Sequence, residues 1–345
     1  MKGFYLLAVS LVTLFTLLGW AHQSPAAPID DLIAAAKKEG TIEFYAPSTL
    51  TPKGAQALGN AFNKRYGLNI ALQYSPSGNM TRDIGKVVGQ AATGVAPEWD
   101  IMLVTDAHHA TLWLKKQLQT FDYRKLGVDP RSVHYDNGAV SFAHQFVLPA
   151  YNKKALPAKD IPKSWEDLLD PKWKGGKLGI STATHHLSRL AVGAWGEEKG
   201  TKYVKGLAAQ ELSLGRLGEV ATRLELGEIL VAVSLTDSHI HSAEVKGSPI
   251  AFAEGIEPVI SPAYHAGVPK GARHPNVAHL FALFLITPEA QQIFEKYTGH
   301  TSAFISGTKA HKYAQGKKVL YMTQDQADKI DKLARQYGKM LGFGG

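Results

Sequence analysis

The chain contains no cysteine. That excludes disulfides, thiolate metal sites, a cysteine nucleophile and a lipid-modified N-terminal cysteine. Long apolar runs are almost as scarce. One run, Phe4 to Leu18, is broken by Ser10, Thr13 and Thr16, and it falls short of the roughly 20 residues that a membrane-spanning helix needs. Nothing later in the sequence is long and apolar enough to span. Basic runs interleaved with aromatics are missing too. The formal net charge is +8, but the lysines and arginines are scattered, which describes a solvated surface rather than a nucleic-acid footprint. Catalytic punctuation is absent as well: there is no G-x-S-x-G elbow, no P-loop, no G-x-G-x-x-G after a strand and no H-E-x-x-H helix.

What is present begins with Lys2 and the short apolar run behind it, followed by small residues around Ser24-Pro25-Ala26-Ala27. That is the pattern of a secretory signal peptide over residues 1–26. The preferred cleavage is between Ala26 and Ala27, with Gly19-Trp20-Ala21 before His22 as the second site. The expectation is an exported, periplasmic protein with no membrane segment after cleavage. Roughly 320 mature residues bury a sizeable core and suggest two domains, and 45% apolar with 20% charged residues is ordinary for a globular chain.

Along the mature chain the pattern predicts a helix over 29–38 stopped by Gly40, a strand over 41–45, and a helix with Leu58, Phe62 and Tyr66 in phase. A strand over 68–74, a loop over 75–79, a helix over 80–92 and a strand over 99–104 follow. Strand, polar loop and helix repeating in this way is the rhythm of an open α/β sheet, whose ligands sit at the carboxyl ends of strands. The second half repeats it: strands over 177–181 and 229–235, helices over 217–226, 275–285 and 288–297, an apolar crossover over 146–151 and an amphipathic tail helix beyond Thr323.

Four stretches then occur in order: Lys37-Lys38-Glu39-Gly40-Thr41-Ile42; Tyr151-Asn152; Ser164-Trp165-Glu166-Asp167-Leu168-Leu169-Asp170-Pro171-Lys172-Trp173-Lys174-Gly175; and Lys270-Gly271-Ala272-Arg273-His274-Pro275-Asn276-Val277-Ala278, with Pro288-Glu289-Ala290-Gln291 beyond. Together they resemble the family 1 extracellular solute-binding proteins, especially the ferric-iron-type branch. The resemblance implies an α/β fold of the type II periplasmic-binding class: two α/β lobes with a ligand cleft between them. Lobe 1 is expected over 27–140 and 250–297, and lobe 2 over 141–249 and 298–345. It also implies a protein that clamps a small-molecule or metal ligand and delivers it to an ABC permease and its ATPase; a monomer without a cofactor is expected. Ferric-iron members typically carry two adjacent tyrosines just after the strand matching 229–235. Here that place reads Thr236-Asp237-Ser238-His239, and no adjacent tyrosine pair occurs in the chain, so those ligands do not carry over.

The polar loops at strand ends supply the candidate ligand-binding residues: Ser48, Thr49, Ser77, Asn79, Asp106, His144, Thr184, His185, Asp237 and His239. Serines and threonines at helix starts are also ordinary N-caps, while the same termini can donate N–H groups to an anion. Of fourteen histidines, His108, His109, His144, His185, His186, His239 and His241 fall in or beside these loops. Neutral imidazoles with a carboxylate suit a divalent transition metal, giving His108, His144, His185, His239 and Asp237 as metal candidates. A small anion, a metal or its chelate, and a neutral polar solute all stay open as ligands. A sensory binding protein docking on a receptor, and a secreted metal-dependent hydrolase, are the alternative functions.

Overall fold

The structure, a computed structural model, describes residues 28–343; the expected leader over 1–26 lies outside the described residues. The first helix, Pro28–Glu39, carries Asp30 and Asp31 in its first turn and Lys37 and Lys38 in its last, matching the helix dipole. Gly40, at φ 70°, turns the chain into the strand Thr41–Pro47.

Two sheets organise the molecule. The first runs in the order Ala71–Ser77, Thr41–Pro47, Ile101–Thr105, Ala263–Gly267, Ala139–His144, Val133–His134. Its first three strands are parallel, and Ala263–Gly267 enters antiparallel to both of its neighbours. The second runs Val319–Tyr321, Val259–Ser261, Val147–Asn152, Val231–Thr236, Leu178–Ser181, Ser213–Gly215, with Ile250–Phe252 also pairing to Val147–Asn152. Each sheet has its own buried core, one around Phe44, Phe62, Phe281 and Phe284 and the other around Trp165, Leu190, Leu207 and Val233. This is the two-lobed α/β periplasmic-binding fold that the sequence led us to expect.

Differences in detail have physical causes. The expected loop over 75–79 shrinks because parallel pairing with Thr41–Pro47 continues as far as Pro47 opposite Ser77. Strands Ala139–His144 and Ala263–Gly267 escape a periodicity reading because every residue in both is buried; strands covered on both faces lose the alternation of a half-exposed one. Sheet membership also departs from the expected lobe limits. Ala139–His144 belongs wholly to the first sheet, although 141–144 was expected in lobe 2. Ile250–Phe252 and Val259–Ser261 belong to the second sheet, although 250–297 was expected in lobe 1. The chain changes lobes next to Gln145, next to Pro262 and beyond Thr301. These crossings are laced together: Gln145 N–H donates to Pro262 O, Ser261 Oγ to Gln145 O and His144 N–H to Thr301 O, at 2.8–2.9 Å.

The C-terminal helix Ala327–Met340 ties the lobes together a second time. Ala327 and Ile330, with Met322 before them, pack among Tyr45, Met102 and Leu112 of the first lobe. Leu333, Tyr337 and Leu341 pack into the core of the second. Ahead of the helix, Gln324 and Asp136 exchange two hydrogen bonds at 2.8 and 3.2 Å.

Candidate functional site

The strands Ile101–Thr105 and Val231–Thr236 each end on a threonine that precedes a helix, Asp106–Leu114 and Asp237–Lys246 respectively. Each helix opens on an aspartate with a histidine two residues later, so Thr105-Asp106-Ala107-His108 and Thr236-Asp237-Ser238-His239 form the same T-D-x-H element, one per lobe. The local geometry repeats: the threonine hydroxyl and the histidine Nδ1 share a hydrogen bond of 2.7 Å in the first copy and 2.6 Å in the second. Sequence reasoning singled out both segments and missed their equivalence, although the four-letter repeat is visible in the chain.

The tertiary surroundings differ. Asp106 is buried and faces Arg189 of the short helix His185–Leu190 in the other lobe. Arg189 Nη1 and Nη2 donate to its two carboxylate oxygens at 2.8 and 2.6 Å, a two-pronged pair with both side chains 2% exposed. The Ala263 N–H adds a third bond at 3.3 Å. Burial alone would raise the Asp106 pKa, but the Arg189 charge and hydrogen bonds outweigh it and hold the carboxyl below its usual range. Tyr135, whose backbone lies at φ 56°, donates its hydroxyl to Asp106 O at 2.6 Å. Tyr135, Asp136 and Asn137 are three successive non-glycine residues in the left-handed region, a conformation that the surrounding contacts must sustain.

Beside this pair lies a cavity of about 370 Å³ whose wall comes from both lobes and the C-terminal helix: Thr81, His108 and Thr111 from the first lobe, Thr182 to His185 from the second, and Ile330, Asp331 and Ala334. His108 is held at both ring nitrogens, by Thr105 and, at 3.2 Å, by Thr81. The Thr184 hydroxyl donates to Ala334 O at 2.8 Å. Burial pushes His108 down to about 4; burial, and then the Arg189 charge, push His185 down to about 3. Both are neutral imidazoles at neutral pH.

Asp237 lines a second, smaller cavity of about 210 Å³ with His144, Glu244, Glu254, Lys309 and Tyr313. Its Oδ1 has no hydrogen-bond partner, and the nearest cation-capable atom, His300 Nε2, stands 3.5 Å away. A third cavity of about 340 Å³ lies across the lobe crossings, with Asp106, His134, His144, His265 and Tyr321 in its wall. There His134 and His265 stack at 4.4 Å. The Ala303 N–H donates to His144 Nδ1 at 3.0 Å, which places the ring proton on Nε2. Burial first, then the neighbouring His134, push His144 down to about 3.

The ten sequence candidates therefore divide. Thr184 and His185 meet at the 370 Å³ cavity, together with His108 from the metal candidates, while Asp106 sits behind it in the pair with Arg189 and lines the third cavity. His144 and Asp237 meet at the smaller one. Ser48 and Thr49 are exposed in a single turn after the first strand and line none of these three cavities. Asn79 caps the helix Met80–Ala92 by accepting from Arg82 N–H, and Ser77 ends the edge strand. His239 is tied to Thr236. His109 and His186 are core histidines, bonded to the Met102 and His265 carbonyls and to the Ser234 hydroxyl. Among the described residues, no group of three or more His, Asp or Glu side chains is arranged to hold a metal ion. Arg189, His134 and His265 were not anticipated, because each gains its place from a partner far away in sequence.

Comparison with known proteins converges on one family. Residues 42–298 match the family described as bacterial extracellular solute-binding protein. The major ferric iron-binding protein of Neisseria gonorrhoeae is 23% identical over 248 residues, covering 70% of this chain and 74% of that protein. Among solved structures, iron-bound HitA from Pseudomonas aeruginosa superposes with a TM-score of 0.70 at 19% identity, over 86% of this chain and 99% of the other. The Trichodesmium protein IdiA (FutA), solved with iron and citrate, gives 0.69 at 18% identity, over 88% and 100%. At these identities the superpositions establish the shared fold.

Proposed function

The chain belongs to the bacterial extracellular solute-binding proteins, and from that premise we propose that it is the periplasmic carrier of an ABC importer, closing its two lobes on a small solute and presenting the closed form to the permease and its ATPase. The observation that carries this reading is the 370 Å³ cavity walled by residues of both lobes and backed by the cross-lobe Asp106–Arg189 pair. A ligand touching both walls stabilises the closed arrangement by its differential affinity for that state, and closure is what a permease can recognise. His108, Thr184 and His185 are the residues assigned to the solute site, with Asp106 supporting it from behind through the pair with Arg189. Asp237 and His144, at the other cavity, stand outside the first contacts. The same reading makes the chain a carrier and not an enzyme.

The leader pattern at residues 1–26 supports this account. The test uses the exported protein purified without denaturant. Unfolding it should release one small molecule in near-stoichiometric amount, and returning that molecule to the stripped protein should raise its unfolding temperature. In membranes holding a cognate permease and its ATPase, the loaded protein should stimulate ATP hydrolysis more than the stripped one. Release of no small molecule, together with equal stimulation by both forms, would overturn the reading.

A further inference from the structure

We propose that the solute of the His108–His185 cavity is uncharged and bears hydroxyl or amide groups, at about the size of a monosaccharide; this rests on the carrier reading and narrows its ligand. The cavity wall mixes hydroxyls and imidazoles with apolar Met322, Ile330 and four alanines, and it carries a single formal charge. Four threonines, Thr81, Thr111, Thr182 and Thr184, share it with His108 and His185. The one formally charged residue in the wall is Asp331, answered four residues later on the same helix by Arg335. Behind the wall Asp106 and Arg189 neutralise each other, and both carboxylate oxygens are occupied. The two imidazoles remain neutral across the physiological range.

A bare anion entering this space would lose hydration and meet no countercharge, and a cation would meet only Asp331, which is already paired with Arg335. Hydroxyls and neutral imidazoles instead offer donors and acceptors in the same small volume, which suits a solute carrying the same mixture. His185 is the group left to engage it: among the described residues its ring makes no hydrogen bond, meets the edge of His186 at 4.5 Å and otherwise feels only the charges of the Asp106–Arg189 pair and neighbouring His108. His108, by contrast, already spends both nitrogens on threonines. A volume of about 370 Å³ lies at the small end of the range of small-molecule clefts, which suits a solute of monosaccharide size. Charge gathers instead at the second cavity, where Asp237, Glu244, Glu254 and Lys309 meet. The metal candidates are not gathered here: His108 is saturated, His144 and Asp237 line the smaller cavity, His239 is tied to Thr236, and His185 is the one imidazole of the set left without a hydrogen bond at this cavity. In this respect the cleft departs from the relatives whose names record iron.

The test is calorimetric binding to the stripped full-length mature protein, at low and high ionic strength, using glucose, ribose and glycerol against inorganic phosphate, ferric citrate and zinc ion, alongside mass identification of the molecule released on unfolding. An uncharged released molecule, or binding of one of the neutral probes, with affinity changing less than about twofold with salt, is the expected result. His185→Gln, which keeps a donor and an acceptor, should weaken that binding by no more than about tenfold, and His185→Glu, which adds a charge to the wall, should weaken it further. Binding of phosphate, ferric citrate or zinc, or tighter binding by His185→Glu, would overturn the uncharged class and leave the carrier reading intact. Release of no molecule and binding of no probe would overturn both.

Discussion

The two T-D-x-H elements are alike in sequence, in strand-end position and in their Thr–His hydrogen bond, yet Asp106 and Asp237 lead different lives. Asp106 is 1% exposed and locked to Arg189 across the lobes. The Asp237 side chain is 26% exposed, with one oxygen lacking any hydrogen-bond partner. Local chemistry therefore places an aspartate at the mouth of a helix in both lobes, and only the tertiary partner decides whether it becomes part of a cross-lobe clasp or a charge on a second cavity. The pairing of Asp106 is costly to disturb, because a buried charge that loses its partner has no water to replace it.

The largest effect is expected at that clasp. Asp106→Asn or Arg189→Met alone should destabilise the protein by about 3–5 kcal/mol in urea unfolding, since each leaves one buried charge unanswered. Combining Asp106→Leu with Arg189→Met should recover a substantial part of the loss. A clasp mutant as stable as the native chain would break the comparison. Next comes Ile330→Ala, which removes a buried side chain from the N-terminal half of the tail helix where it packs on the first lobe; the expected cost is about 2–4 kcal/mol. A Leu333→Ala change in the other half should cost a similar amount through the second lobe's core.

Acid should act through the histidines as well as the clasp. His108, His134, His144 and His185 are held near 3 to 4, below the ordinary 6.5. Between about pH 6.5 and 4 the unfolded chain therefore binds more protons than the folded one, so stability falls as pH drops through that window and is level above it. Asp106, with its lowered pKa, adds stability that is present above about pH 4 and lost at lower pH as the carboxyl protonates. Unfolding midpoints across pH 4 to 8 would show the slope, and His144→Gln should flatten it. The smallest effect is expected at the second T-D-x-H element: Asp237→Asn should change stability by less than about 1 kcal/mol, because that part-exposed carboxylate makes no hydrogen bond to its nearest cation-capable neighbour, His300, 3.5 Å away.

Much of this was legible in the chain. The helices over 80–92, 217–226 and 275–285 follow from apolar spacing and their stop signals, and the two-lobed fold follows from ordered family stretches. The strands Ala139–His144 and Ala263–Gly267 were not legible, because burial on both faces erases their period. For the site, Asp106, His108, Thr184 and His185 were reachable as polar residues at strand ends. Arg189 was not, since a mid-helix arginine five residues beyond Thr184 looks like surface until the other lobe is brought against it. Ser48, Thr49 and Asn79 show the reverse case, in which polar strand-end residues do local work on their own helices and turns.

The central claim is a clamp whose lobes part and close. Because the chain has no cysteine, Val95→Cys in the first lobe and Leu226→Cys in the second, both exposed in the native chain, give a clean pair of label sites. The distance between the labels, measured by pulsed electron resonance on the protein as purified and after stripping, tests the claim directly. A distance that shortens and narrows in the loaded protein and lengthens on stripping is the predicted result. One unchanged distance in both states, with the released molecule identified and then restored, would contradict it.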